Sequence, residues 1–287
     1  MVPLNKVAKW SLVLIGSFFI VSFVANFGGF SEWFELAVQA PYMAFMFYGF
    51  YRVLSKGVCR EGWKRTSLDV LLLLSLMLFF VGYGLHFAAN KVEVTMAENE
   101  IMLFMASRVA TSPEVLVYLS AIYVPTYYLD EILGHQLVYT GFFGLMVGGI
   151  LLEAWHREEE KLAVTDYAAI AISSVMFTLI ITLATVEGQY AIYALILTAI
   201  MASVLATRFK GSIARRPFIL LMLLTSIMTA ACILLLAAMF FDPISVALHG
   251  LTGRVPQPSE PSRILRQFIF FSGAFSDEAK VILTFLT

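Results

Sequence analysis

Apolar residues along this chain are grouped into long runs that short polar or charged segments separate. A hydrocarbon core about 30 Å thick is crossed by about 20 apolar residues in a helix, because a helix satisfies its own backbone hydrogen bonds in lipid. Six runs meet this requirement, at residues 8–28, 35–55, 67–89, 163–186, 189–208 and 217–241. The pattern therefore predicts transmembrane helices.

A further apolar stretch, residues 114–155, is too long for one simple span. As continuous helix it would extend about 63 Å, roughly twice the thickness of the hydrocarbon core. Lysine and arginine near span ends favour the cytoplasmic side. One crossing places most of the chain's 19 Lys and Arg residues on that side, whereas two crossings would force the cluster at 208–216 outside. One crossing, at about 131–155, is therefore expected.

The expected fold is an all-α polytopic transmembrane bundle of about seven spans, with the N-terminus inside and the C-terminus outside. Residues 1–242 form the membrane domain, in which an interfacial or re-entrant segment at about 91–130 precedes span four. Tyrosines and two prolines in that segment suit the headgroup level and interrupt helices there. Residues 243–287 form an extracytoplasmic tail, partly associated with the membrane. The expected location is the cell membrane.

The composition is typical of a membrane protein and excludes other classes of protein. Hydrophobic residues make up 60% of the chain and charged residues only 14%, too few to solvate a soluble domain of 287 residues. The net charge of −1 provides no basic face for a nucleic-acid partner. Cys59 and Cys232 are too few for a disulfide framework and are interpreted as free thiols.

Polar side chains gather at the outer ends of the predicted spans, although the topology was derived without them. Polar groups at membrane depth are costly and usually mark function. Three histidines, three carboxylates and one amide share this level: His86, Asn90, Asp130, Glu131, His135, Glu187 and His249.

Residue spacing suggests a metal site within this group. Glu131 and His135 are four residues apart, so both project from one helix face, and His86 lies on a neighbouring span. Two imidazoles, one carboxylate and a water form a known hydrolytic zinc site, so His86, Glu131 and His135 are the expected ligands. Asp130 or Glu187 is the expected catalytic base, or the group that orients a ligand histidine.

Asn90 and His249 are the expected supporting residues around that site. Zinc is the favoured ion, although iron or copper accepts the same ligands. No segment matches the H-E-x-x-H motif.

Several of these candidate residues also have a purely structural interpretation. Asp130 is also suited to capping a helix, Glu131 and His135 to pairing within one helix, and Glu187 to an ordinary loop. At the opposite ends of the spans, Asp69 and Asp166 are expected to cap helices, and Glu153 to pair with Arg157 one turn later. Small-residue spacing predicts close helix approach in span four, at Gly141, Gly144, Gly148 and Gly149.

In architecture, seven spans with histidine and carboxylate at one face resemble the superfamily of alkaline ceramidases and adiponectin receptors, which are intramembrane zinc hydrolases. That family pairs a serine with a histidine one turn later and carries two histidines on its last span. Here Gly82 precedes His86 by four residues, and span seven contains no histidine. The resemblance covers architecture only, and the chain is not assigned to the family.

The functional hypothesis is a metal-dependent membrane hydrolase that acts on a lipid or lipid-like substrate near the outer face. Three alternatives remain: a redox enzyme with iron or copper, a proton-coupled transporter, and a non-catalytic subunit of a membrane complex. Membrane lipids surround the chain in each case, and a homo-oligomer is compatible with all of them.

Overall fold

The computed structural model describes residues 5–27, 40–55, 62–98, 128–155, 161–187 and 191–240, together with single positions at 38, 121, 125 and 126. These residues are helical almost throughout and contain no strand. Seven α-helices are described: α1 (Asn5–Phe27), α2 (Ala40–Leu54), α3 (Trp63–Glu98), α4 (His135–Ala154), α5 (Val164–Glu187), α6 (Ala191–Arg208) and α7 (Pro217–Phe240). A π-helix, Tyr128–Gly134, leads directly into α4.

Among the described residues, four helical stretches are long and apolar enough to cross a membrane: Trp63–Ala89, Tyr128–Ala154, Val164–Thr182 and Pro217–Leu236. Large apolar side chains also lie exposed on the outside of these helices, as in Leu73 and Leu74 of α3 and Leu235 of α7. Such surface is stable against lipid and not against water. The fold is that of a helical membrane protein.

Helix α4 lies beside α3, and glycines bring the two together. A Cβ atom added at Gly82 of α3 would lie 2.5 Å from the backbone nitrogen of Val138, and further along α4 the Cβ positions of Gly141 and Gly144 meet Ser75 of α3. Gly148 faces Leu72 of the same helix. The role predicted for Gly141, Gly144 and Gly148 is confirmed, and Gly82 of α3 has the same role. Small residues allow helix backbones to approach closely in lipid, where no hydrophobic effect drives helices together.

Gly149 allows close approach of a different helix, α7, since a Cβ atom added at Gly149 would lie 2.5 Å from the ring of Phe218. Around this point aromatic rings join several helices. Phe50 of α2 meets Phe218 with ring centroids 5.1 Å apart, and Phe142 of α4 meets Phe47 and Phe177 at 5.5 and 5.6 Å. These edge-on and tilted contacts are favourable ring geometries, and they hold α2, α5 and α7 around α4.

Helices α5 and α7 run parallel, with a constant offset of 47 residues. The hydroxyls of Ser174 and Thr178 each lie 3.5 Å from a carbonyl of α7, those of Leu221 and Thr225. At the start of the pair, the Tyr167 hydroxyl donates to the carbonyl of Ala214 at 2.8 Å. The buried hydroxyls of Ser174 and Thr178 and the exposed hydroxyl of Tyr167 therefore supply polar contacts along this pair of helices.

Two predicted segments lie largely or wholly outside the described residues. The first eight positions of the predicted interfacial segment belong to α3, which continues to Glu98, and residues 99–120 are not described. The tail at 243–287 is also outside the described part of the chain.

Candidate functional site

The end of the bundle where α3 meets the π-helix carries the candidate residues. The π-helix contains Asp130 and Glu131, and His135 is the first residue of α4. In a π-helix the hydrogen bonds reach one residue further than in an α-helix, which turns side chains away from their α-helical directions. Such turns occur frequently at functional sites.

Close backbone contact joins α3 to this segment. A Cβ atom at Gly134 would lie 3.0 Å from the backbone nitrogen of His86 and 3.1 Å from its Cβ. One turn earlier in α3, the Cβ position of Gly82 lies 2.7 Å from the carbonyl oxygen of Gly134. Side chains at both positions would push the elements apart, so the two glycines allow His86 to reach the π-helix.

His86 and Asp130 form a hydrogen-bonded pair between these elements. Nδ1 of His86 contacts Oδ1 of Asp130, and because a carboxylate can only accept, the imidazole donates. The Asp130 side chain is 2% exposed, whereas that of His86 is 22% exposed. The buried carboxylate therefore fixes the ring orientation, and the Nε2 edge of His86 is directed away from it.

His135 completes the cluster from the start of α4. Its ring centroid lies 4.5 Å from that of His86, with the planes inclined at 49°. The His135 ring also stacks on that of Tyr139, one turn along α4, with centroids 6.0 Å apart and planes inclined at 12°. Three polar side chains from three elements thus meet at one end of the bundle, which we call the histidine end (His86, Asp130 and His135).

The structure brings together these three of the seven candidate residues. Glu131 lies in the π-helix, Asn90 in α3, and Glu187 ends α5, but the side chains of all three are outside the described part. His249 is outside it altogether. Within the described residues, no group of three or more His, Cys, Asp or Glu side chains is arranged to hold a metal ion.

Of the two carboxylates expected to cap helices, Asp166 caps its helix and Asp69 does not. Asp166 is the third residue of α5 and accepts a hydrogen bond at 2.9 Å from the backbone nitrogen of Ala163, the residue before the helix. This is the reciprocal bond of a capping box, so the cap is confirmed. Asp69 does not cap α3, because that helix begins at Trp63 and Asp69 lies in its second turn, where it bonds to Arg65 and Tyr51.

The sequence interpretation missed the role of Glu153. It was expected to pair with Arg157 in an inner loop, yet Glu153 is fully buried and accepts hydrogen bonds from the backbone nitrogens of Phe218 and Ile219, at 3.0 and 2.6 Å. It therefore caps the start of α7 from another helix. One signal was present in the sequence: α7 begins at Pro217, and the capping position before it is Arg216 rather than Ser, Thr, Asp or Asn.

Arg216 strengthens this junction by donating from Nη1 to the backbone carbonyl of Glu153 at 2.6 Å. Four basic residues lie at the helix termini that meet here, namely Arg52, Lys64, Arg65 and Arg216. We call this region the basic end. It lies at the other end of α4 from the histidine end, about 27 Å away by the helical rise.

Comparison with known proteins found no relative of this chain. No protein-family model, curated protein or solved structure matches it.

Proposed function

We propose that this protein is a metal-dependent membrane enzyme with its site at the histidine end, and that it hydrolyses a lipid or lipid-like substrate. The observation that supports this most is the contact of His86 with both Asp130 and His135, which are 44 and 49 residues away in the sequence. A histidine held by a buried carboxylate is the usual arrangement around a metal-ligating imidazole.

The separation of the two imidazole rings is compatible with two ligands of one ion. With metal–nitrogen bonds of about 2 Å, two imidazoles on a tetrahedral ion have ring centroids about 5 Å apart. The observed 4.5 Å is close to this separation. We propose His86 and His135 as ligands, and Glu131, four residues before His135, as the third.

Asp130 has a defined part in this proposal. Its contact with Nδ1 of His86 leaves Nε2 of that ring as the ligand atom. Asp130 therefore positions the ligand rather than acting as the base, and Glu187 remains the candidate base. When bound, a divalent ion supplies a Lewis acid that polarises a carbonyl or phosphoryl oxygen.

A substrate from the membrane fits the surroundings of the site. The histidine end has apolar exposed neighbours, since Val81 of α3 and Tyr128 and Leu129 of the π-helix are between 37% and 52% exposed. His86 itself is partly exposed, whereas Asp130 is covered. A lipid-like molecule can therefore approach the imidazole along the outside of α3.

We further propose that all seven helices cross the cell membrane, with the N-terminus inside and the histidine end outside. Three helices fall outside the four candidate spans, but α1 and α6 are apolar helices of 23 and 18 residues. The concentration of lysine and arginine at the basic end supports this orientation.

The test is elemental analysis of detergent-purified protein. We expect about one equivalent of metal in the wild type and in His156→Ala, a control that changes a histidine after α4, and almost none in His86→Ala or His135→Ala. Asp130→Ala should bind metal about 10–100-fold more weakly, the usual effect of losing such a partner. Metal-free wild type after growth and purification with added zinc, iron and copper would contradict the proposal.

The identity of the metal and an assay panel separate the alternatives. Zinc with release of product from ester, amide or phosphodiester lipids supports a hydrolase, whereas iron or copper with a redox spectrum supports the redox enzyme. Proton flux in liposomes without metal would favour the transporter. Stable co-purification of other membrane proteins without metal would favour the non-catalytic subunit.

A further inference from the structure

A half-open cleft of about 260 Å³ lies between α2, α3 and α4 near the basic end. Its walls are apolar, with Phe47 and Phe50 on α2, Leu72 and Leu76 on α3, and Gly149 at its floor on α4. Along α3 the lining extends from Asp69 to Leu76, about 10 Å by the helical rise. The cleft is therefore a narrow apolar slot with one polar end.

The polar end is a closed network that joins α2 to α3. The Tyr51 hydroxyl donates to Oδ1 of Asp69 at 3.0 Å, and Nε of Arg65 donates to Oδ2 of the same carboxylate at 3.1 Å. Arg65 also contacts the Tyr51 hydroxyl, and its guanidinium lies 5.1 Å from the centre of the Tyr51 ring. This network holds the two helices together at the mouth of the slot.

Positive charge exceeds negative charge around this mouth. Arg52 is exposed, and its guanidinium lies 6.0 Å from the centre of the Tyr48 ring, which lines the cleft. Lys64 is also exposed and precedes Arg65 in α3. Among the described residues of the basic end, the four cations Arg52, Lys64, Arg65 and Arg216 outnumber the two carboxylates, Asp69 and Glu153. An anionic group is therefore favoured beside an apolar chain.

We propose that the cleft binds one acyl chain of an anionic membrane phospholipid, with the lipid phosphate beside Arg52 and Arg65. The slot is apolar where the chain lies and cationic where the headgroup lies, at the end of the bundle where the polar network marks the membrane surface. Its lining on α4, from Leu145 to Leu152, lies about 15–26 Å from His135 along that helix, and the site does not depend on the function proposed at the histidine end.

The first test uses native mass spectrometry of the full-length protein in detergent, titrated with phosphatidylglycerol or phosphatidylcholine. Leu73 lines the cleft and is 59% exposed, whereas Leu74, its neighbour in α3, is 52% exposed and does not line it. Leu73→Trp blocks the slot with a larger side chain, and the exposed position of Leu73 allows that side chain without disturbing the core. Leu74→Trp is the matched control.

We expect wild type and Leu74→Trp to retain one phosphatidylglycerol. Leu73→Trp should bind it at least about tenfold more weakly, because excluding two methylene groups from an apolar site already has that effect. Arg52→Gln should remove the preference for phosphatidylglycerol over phosphatidylcholine. Equal binding by Leu73→Trp and Leu74→Trp, or no headgroup preference in the wild type, would overturn the proposal.

A second measurement tests the proposed lipid site without any variant, in case Leu73→Trp fails to fold. Wild-type protein in vesicles is irradiated with phosphatidylglycerol that carries a photoreactive group in its acyl chain, and the labelled peptides are identified. Labelling concentrated at the cleft-lining positions of α2 and α3 supports the site. Labelling spread evenly over the lipid-facing positions of α3, such as Leu74 and Met77, counts against it.

Discussion

At the scale of single residues, a side chain's role depended on partners distant in sequence. Spacing selected His86 and His135 as candidates and Asp130 as a base or a group that orients a histidine. Spacing within a helix defines which side chains share a face, but not how one helix is rotated against the next. The contact between Asp130 and His86 could therefore not be assigned before the helices were packed.

Glu153 shows the same limit at the basic end. A carboxylate four residues before an arginine is typical of a pair on a solvated helix face. In the structure both of its oxygens are bonded to the backbone of α7, 65 and 66 residues further on. The sequence carried only an indirect sign of this, a helix start without its own capping side chain.

We predict that Glu153→Ala destabilises the protein by about 1–2 kcal/mol or more, because two buried N–H groups at the start of α7 lose their acceptor. Glu153→Gln should lose less, since its amide oxygen still accepts one of the two bonds. The measurement is thermal unfolding in detergent. Equal stability of wild type and Glu153→Ala would contradict the proposed capping role.

At the scale of elements, helix bounds were largely predictable and the π-helix was not. The predicted spans at 163–186 and 217–241 agree closely with α5 (Val164–Glu187) and α7 (Pro217–Phe240), because the length of an apolar run is a local property. A π-helix differs from an α-helix by one residue in the spacing of its hydrogen bonds. The pattern of an almost wholly apolar run does not reveal that change. The presence of the π-helix decides where Asp130 points.

Two glycines in α3 provide a matched pair for testing close helix approach. The Cβ of Gly82→Ala would lie 2.5 Å from backbone of α4, whereas that of Gly84→Ala meets nothing within 4 Å. We predict that Gly82→Ala costs about 1–3 kcal/mol of stability, because backbone must move. Gly84→Ala should stabilise by up to about 1 kcal/mol through helix propensity.

The measurement is the thermal unfolding temperature of the two variants in the same detergent. In Gly82→Ala the separation of α3 from the π-helix should also weaken the contact of His86 with Asp130, and metal content should fall with it if the proposed function holds. Similar unfolding temperatures for both variants would show that α3 and α4 are not in close contact at Gly82.

At the scale of the whole molecule, the two ends of the bundle differ in chemistry. The histidine end holds His86, Asp130 and His135, whereas the basic end holds the cations, the cap on α7 and the cleft. Charge distribution predicts that the basic end faces the cytoplasm. The expected orientation places the proposed metal site and the proposed lipid site in opposite leaflets.

Labelling of single cysteines in a background without Cys59 and Cys232 tests the orientation. We predict that a membrane-impermeant thiol reagent labels Tyr128→Cys in intact cells, and labels Lys210→Cys only after the membrane is permeabilised. Both positions are exposed in the structure and lie near opposite ends of the bundle. The reverse pattern would invert the orientation, and labelling of both in intact cells would exclude the three crossings proposed between them, because an odd number of crossings places the two positions on opposite sides.

The sequence alone determined the helical class, the membrane setting and most helix bounds, because each depends on runs of neighbouring residues and the thickness of the lipid core. Tertiary structure decided which polar groups meet: Asp130 with His86, Glu153 with the start of α7, and Tyr51 with Asp69 beside the cleft. Those contacts depend on the rotation and separation of packed helices, which glycines such as Gly82 and Gly134 set through close backbone approach. Polar groups buried in a bundle must find partners across helices, and such pairing is a property of the packed molecule.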